Sequence, residues 1–180
     1  GDKTSLLMKI KNTYKKNKHR NVVVAFKDNA SIIEGQYCVD ILLNNSTNQL
    51  VPVNDKFNFS YKAETHNFPT GICPFPGAET GVGGRIRDTL SCGKGGDIIA
   101  GTAGYCVGDI LHELYAINQY NDYYYNLIHN KPLTILIEAS NGASDYGNKI
   151  GEPIIQGFCR SYRGDFINNN NKNNRIEYLK

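Results

Sequence analysis

Residues 62–88 constrain this chain more than any other stretch: Lys62-Ala-Glu-Thr-His-Asn-Phe-Pro-Thr-Gly-Ile-Cys-Pro-Phe-Pro-Gly-Ala-Glu-Thr-Gly-Val-Gly-Gly-Arg-Ile-Arg-Asp88. The segment reads as the end of a strand, then a Glu-Thr-His-Asn cluster, then three prolines and a glycine-rich run that closes on Arg87 and Asp88. Glycines lose more conformational entropy on folding than other residues, so a run of them is costly as mere scaffolding. Acid, imidazole, amide, backbone N–H donors and guanidinium within one short span point to a phosphate and metal site.

Residues 77–88 invite comparison with phosphate-binding loops. No Lys-Ser or Lys-Thr pair follows the glycines, which excludes a Walker A motif. Gly81 and Gly83 are present, but Ile86 stands where the third glycine of a dinucleotide fingerprint belongs. Successive glycine N–H groups in a tight turn leading into a helix would still form an anion-binding nest, with Thr80 and Arg87 as side-chain donors. A flexible surface loop is the competing reading.

Glu64, His66 and Asn67 follow the predicted strand, whose alternation would put Glu64 and His66 on one face and Thr65 and Asn67 on the other. Glu64 and Asp88 are hard oxygen donors suited to Mg²⁺ carried by a nucleotide. His66 can act as a base near neutral pH or donate to developing negative charge; a hydrogen-bonded structural histidine is the alternative. Taken alone, these residues imply a magnesium–nucleotide site and leave its substrate open.

The 180 residues suffice for one compact domain or a part of a larger one. A net charge of +3 is too small for a nucleic-acid-binding face, and no apolar run reaches the roughly 18 residues that span a bilayer. No secretory signal is visible. Five cysteines without a CxxC pair fit neither a zinc site nor a disulfide framework, and imply reduced cytoplasmic thiols packed as small hydrophobes.

Along the chain, residues 5–18 predict an amphipathic helix with lysines gathered at its C-terminal end, and residues 22–26 a buried strand. Further strands are expected at 37–43, ended by the Asn-rich turn 44–48, at 57–63 and at 98–110. Residues 112–130 read as a tyrosine- and asparagine-rich surface excursion, 133–138 as the clearest β-branched strand, 140–151 as a short helix and 154–162 as the last strand. The asparagine tract leaves 167–180 as a low-complexity, disordered tail after a domain at 1–166. The mixture lacks a regular βαβ rhythm and predicts an α+β fold.

The sequence resembles the synthetase portion of large, single-chain phosphoribosylformylglycinamidine synthases. That family's pattern K-x-E-T-H-N-x-P-T, then P-x-P-G-A-x-T-G-x-G-G-x-I-R-D, is met by Lys62 through Asp88. An aromatic-x-D-N-A-x-hydrophobic-hydrophobic-E-G block matches Phe26 through Gly35, and Gly93-Lys-Gly95, Ala100-Gly-Thr-Ala-Gly104, Asn148-Lys-Ile-Gly-Glu-Pro153 and Gly157-Phe-Cys-Arg-Ser-Tyr162 follow in the family's order. The resemblance, over residues 6–162, implies the first synthetase half.

It also implies a reaction. ATP activates the amide oxygen of formylglycinamide ribonucleotide as an iminophosphate, and ammonia from glutamine displaces phosphate to give the amidine. By resemblance, Lys62, the run Gly77, Ala78, Glu79, Thr80, Gly81, Val82, Gly83, Gly84, Arg85, Ile86, Arg87 and Asp88, and the patch Gln156, Gly157 and Phe158 contact ATP. Thr65, His66, Asn67, Phe68 and Arg87 line the substrate, with His66 the catalytic proton acceptor, and Glu64 and Asp88 hold Mg²⁺. The implied fold is a mainly antiparallel sheet flanked by helices, like the N-terminal domain of aminoimidazole ribonucleotide synthetase, with self-association possible through the sheet. A second synthetase half and a glutaminase domain are implied partners; nucleic acid and membrane are not. Phe68 stands where the family carries histidine, Glu79 replaces a small residue, and Arg85 is unusual for the large form. A nucleotide-binding domain without chemistry is the alternative function.

Overall fold

The computed structural model describes residues 4–17, 21–27, 30–110, 130–162, 164–167 and 173–176. The chain divides into two compact units, Gly1–Lys62 and Ala63–Lys180.

In the first unit, α1 (Leu6–Lys16) starts at Ser5, whose hydroxyl accepts from the Met8 N–H at 3.3 Å, and ends on Lys15 and Lys16, where the macrodipole favours cations. The predicted helix is thus present, although none of its residues is buried. Lys11 and Tyr14 meet Phe26, the ring of Tyr14 edge-on at 5.6 Å. Strands β1 (Val22–Val24), β2 (Ile32–Asn44) and β3 (Gln49–Ser60) form an antiparallel sheet in that order. The Asn-rich turn lies where the sequence puts it. Asn44 accepts from the N–H groups of Ser46 and Thr47 through its side chain at 2.9 and 3.2 Å, and Asn48 takes a left-handed φ of 54°.

A bulge in β2 between Ile33 and Gln36 centres on Gly35, where a Cβ would collide with the carbonyl of Phe57. Strand β1 is not the buried strand expected for 22–26: it is the first strand of the order β1-β2-β3, Val23 is 52% exposed, and Val22 and Val24 are only half-buried. The strand expected at 57–63 begins earlier and stops at Ser60.

The second unit contains α2 (Phe68–Ile72), α3 (Pro74–Leu90), β4 (Gly101–Val107), α4 (Pro132–Ile150) and β5 (Ile154–Ser161). β4 and β5 pair in parallel, since the long connection through α4 allows same-direction pairing. β6 (Gly164–Ile167) and β7 (Asn173–Ile176) pair antiparallel, so part of 167–180 is in a strand. Helices α3 and α4 pack together around Ala78, Ile86, Ile135 and Ala139, with Val107 of β4 buried as well. The fold is α+β, with an antiparallel sheet and helices. No helix among the described residues is long and apolar enough to cross a membrane. The tyrosine-rich excursion falls in 111–129, outside the described residues.

Two local expectations are corrected. The glycine run of 77–88 is not a loop but the body of α3. Pro74 and Pro76 are tolerated in its first turn, and the glycines let neighbours approach: a Cβ on Gly77 would lie 2.6 Å from the Pro69 carbonyl oxygen, and one on Gly83 2.8 Å from the ring of Tyr146. Likewise 133–138 is helical, and with 140–151 it makes the single helix α4. Pro132 at its start, Gly151 at its end (φ 78°) and the buried positions Ile135, Ala139 and Gly142 follow helical spacing.

Candidate functional site

Residues 61–67 have no regular structure, so strand alternation does not decide where Glu64 and His66 point. His66 is seated instead by local contacts. The hydroxyl of Thr70, the third residue of α2, donates to the His66 carbonyl at 2.5 Å and lies 3.5 Å from the His66 Nδ1. The imidazole packs on Gly81 of α3, where a Cβ would come within 2.8 Å of the His66 Cβ. One glycine of the run thus makes room for the histidine.

Glu64, Thr65, His66 and Asn67 form one wall of a cavity of about 1070 Å³. Ala78, Gly81, Val82 and Arg85 face it from α3 at helical spacing, residues 102–107 from β4, Ile135, Ala139, Ser140 and Ala143 from α4, and Gly157 and Phe158 from β5. Most of the lining is apolar, as in typical small-molecule sites. The Phe158 ring reaches toward Gly104, where a Cβ would lie 2.5 Å from Cζ, and the Arg160 guanidinium sits 5.1 Å over that ring. Tyr105 adds a phenol that hydrogen-bonds Ser140; burial raises its pKa, opposed by that bond.

The remaining predicted residues do not line this cavity. Gly77 and Ile86 are buried in helix packing, and Gly83 and Gly84 lie beside Arg87. Thr80, Arg87 and Gln156 are exposed, as is Phe68, and Asp88 lies two turns beyond Gly81 on α3. Lys62 belongs to the other unit. Glu79 pairs with Lys149 of α4 at 3.2 Å, and Lys149 also binds Asp145 at 2.5 Å. The charge at Glu79 therefore serves the α3–α4 contact.

Lys149 and Asp145 are exposed, and their hydrogen bond raises the first pKa and lowers the second. Asp145 contributes above the unfolded carboxylate range, and its share is lost as pH falls through its lowered folded value. Lys149 contributes below its unfolded value, and its share is lost as pH rises through the raised one. Lys149→Met should therefore lower the thermal midpoint slightly near neutral pH, and in strong acid the difference from the parent should vanish. A difference that persists in acid would show that the ion pairs with Asp145 and Glu79 are not what the substitution removes.

Little of the Arg85 side chain reaches solvent. Both terminal nitrogens meet the carboxylate of Glu152, Nη2 to Oε2 at 2.7 Å. Sequence reasoning missed Glu152, Tyr105, Ser140 and Thr70. Only Glu152 carried a signal, an acid between a helix-ending glycine and a proline.

Among the described residues no group of three or more His, Cys, Asp or Glu side chains could hold a metal ion. A magnesium ion that keeps water and phosphate oxygens needs only one or two protein carboxylates. Glu64, in the cavity wall, fits that role; Asp88 does not line the same cavity.

No family model matches the chain. Three relatives are similar: a phosphoribosylformylglycinamidine synthase of Dictyostelium discoideum, 49% identical over 165 residues, which cover 89% of this chain and 12% of that protein; a probable phosphoribosylformylglycinamidine synthase, chloroplastic/mitochondrial, of Arabidopsis thaliana, 47% identical over 161 residues, 88% and 11% respectively; and the Homo sapiens phosphoribosylformylglycinamidine synthase, 46% identical over 149 residues, 78% and 11%. The chain thus spans 11–12% of the length of these three relatives. Identity near one half, sustained over nearly nine-tenths of the chain and including the residues 62–88, has one explanation: over the matched residues the chain belongs to the phosphoribosylformylglycinamidine synthase family.

Proposed function

We propose that the chain supplies part of a site where ATP activates formylglycinamide ribonucleotide and ammonia from glutamine completes the amidine. The observation that carries this reading is the meeting of Glu64, Thr65, His66 and Asn67 with the small-residue face of α3 on one cavity of nucleotide size. In this reading His66 accepts a proton at the substrate amide as the C–N bond forms, while Thr65 and Asn67 orient the amide by hydrogen bonds. Arg85 offers the cavity a fixed cation, and Gly157 and Phe158 a surface for the base. Glu64 helps hold Mg²⁺, which when bound neutralises phosphate charge. Lys62, Phe68, Arg87, Asp88 and Gln156 join the proposed set on the strength of the motif alone. The second synthetase half and the glutaminase domain are proposed partners, and cytoplasmic residence is part of the same reading.

One observation favours a second reading, a nucleotide-binding domain without chemistry: Asp88 lies outside the cavity that Glu64 lines. Glu64→Gln in the full-length protein separates the two. For a catalytic site, MgATP affinity should drop and ATP- and ammonia-dependent amidine formation should fall about a hundredfold. Lost MgATP binding with undiminished amidine formation would establish the second reading.

A further inference from the structure

We infer that Glu152 is a positioning residue for the cavity, acting through Arg85; the inference rests on the nucleotide reading above. The Glu152 side chain is fully buried and that of Arg85 is 16% exposed. A carboxylate withdrawn from water is costly unless its partner is well placed, and here the guanidinium meets it with two nitrogens. Room for the carboxylate comes from Gly101, where a Cβ would lie 2.5 Å from Oε1.

The backbone around Glu152 is equally fixed. Its N–H donates to the Gly147 carbonyl at 3.0 Å, closing the end of α4 after the left-handed Gly151. The next residue, Pro153, accepts from the Gly101 N–H at 2.8 Å, which joins the start of β5 to the start of β4. One carboxylate thus ties α3 to the junction of α4, β4 and β5, the elements that wall the cavity.

Arg85 is the part of this device that a ligand would meet. It lies one turn beyond Gly81, the seat of His66, on the same face of α3. It is the one lysine or arginine among the described residues of the cavity wall. Glu152 does not line the cavity, so its effect on an anionic ligand passes through the orientation of that guanidinium. Buried ion pairs add little net stability, but removing the carboxylate takes away the two-point contact that fixes the plane of the guanidinium.

The test is MgATP titration of the full-length protein, with thermal midpoints measured alongside. Glu152→Gln should weaken MgATP binding about tenfold, the usual effect of losing a residue that orients a ligand-binding group. The swapped pair Arg85→Glu with Glu152→Arg should recover much of the midpoint while affinity stays weak, because the cation has left the cavity wall. Affinity within about twofold of the parent in Glu152→Gln, or affinity recovered together with stability in the swap, would overturn the inference. Should Glu152→Gln not fold, Glu152→Asp keeps the charge but shortens the reach, and unchanged affinity there overturns it equally. A parent protein that does not bind MgATP would overturn the nucleotide reading itself, and this inference with it.

Discussion

Replacing Gly142 with alanine should destabilise the fold by about 3 kcal/mol, although alanine is the better helix former by about 1 kcal/mol. Gly142 is buried in α4 against the first turn of α3. An added Cβ would lie 2.8 Å from the carbonyl carbon of Phe75 and 2.9 Å from its Cα, and closer still to the oxygen. These are backbone atoms, which cannot swing aside as a side chain can, so the two helices must separate. Their separation would loosen the packing around Ile86, Ile135 and Ala139, the buried apolar residues of that contact. Gly84→Ala is the matched control. It lies in α3, and the nearest atom to its Cβ would be Arg87 Nη2 at 4.0 Å. There the propensity gain of about 1 kcal/mol should be realised as added stability. Urea or thermal midpoints of both variants decide the matter, and shifts of the same sign would refute the packing account.

His66→Ala should lower ATP- and ammonia-dependent amidine formation by the full-length protein by two to four orders of magnitude, about the range for a lost general base. Folding should be nearly unaffected, because Thr70 bonds to the His66 backbone carbonyl, which alanine retains. Gly81→Ala provides an independent check. It leaves the imidazole in the protein but occupies the space beside its Cβ and Cγ, 2.8 and 3.0 Å away. The ring must then shift, and a displaced catalytic group costs rate even when its chemistry is intact. Gly81→Ala should therefore lose activity in the same direction while MgATP affinity changes less than turnover. Amidine formation undiminished in His66→Ala would remove the histidine from the mechanism. Full activity in Gly81→Ala would show that its seat on α3 is not what orients it.

Much of the first unit is legible from local sequence. Ser5 and the lysines mark the ends of α1, and the Asn-rich turn at 44–48 ends one strand and begins the next. These features are set by contacts a few residues apart, which a linear reading captures. The two largest misreadings fall where local preference and packing conflict. Four glycines and two prolines within α3 argue against a helix, each interior glycine by about 1 kcal/mol. The β-branched Thr134, Ile135 and Ile137 argue for a strand. The helices win because all but Gly84 of these glycines, and Gly142 of α4, admit a close neighbour: the backbone of α2 at Gly77, His66 at Gly81, Tyr146 at Gly83 and the first turn of α3 at Gly142.

The site divides along the same line. The residue types and order in 62–88 by themselves carry the family assignment and the list of groups suited to phosphate, metal and proton transfer, because such chemistry depends on side-chain identity. Which of those groups share a cavity was decided only by the tertiary structure. Helical pitch turns Ala78, Gly81, Val82 and Arg85 toward His66 and Thr80 and Arg87 away, while Asp88, on the same face, lies two turns along α3 from Gly81 and outside the cavity. The partner of Arg85 lies 67 positions away, beyond the end of α4. Such a contact depends on how the chain returns through α4 to β5, and spacing along the sequence cannot express it.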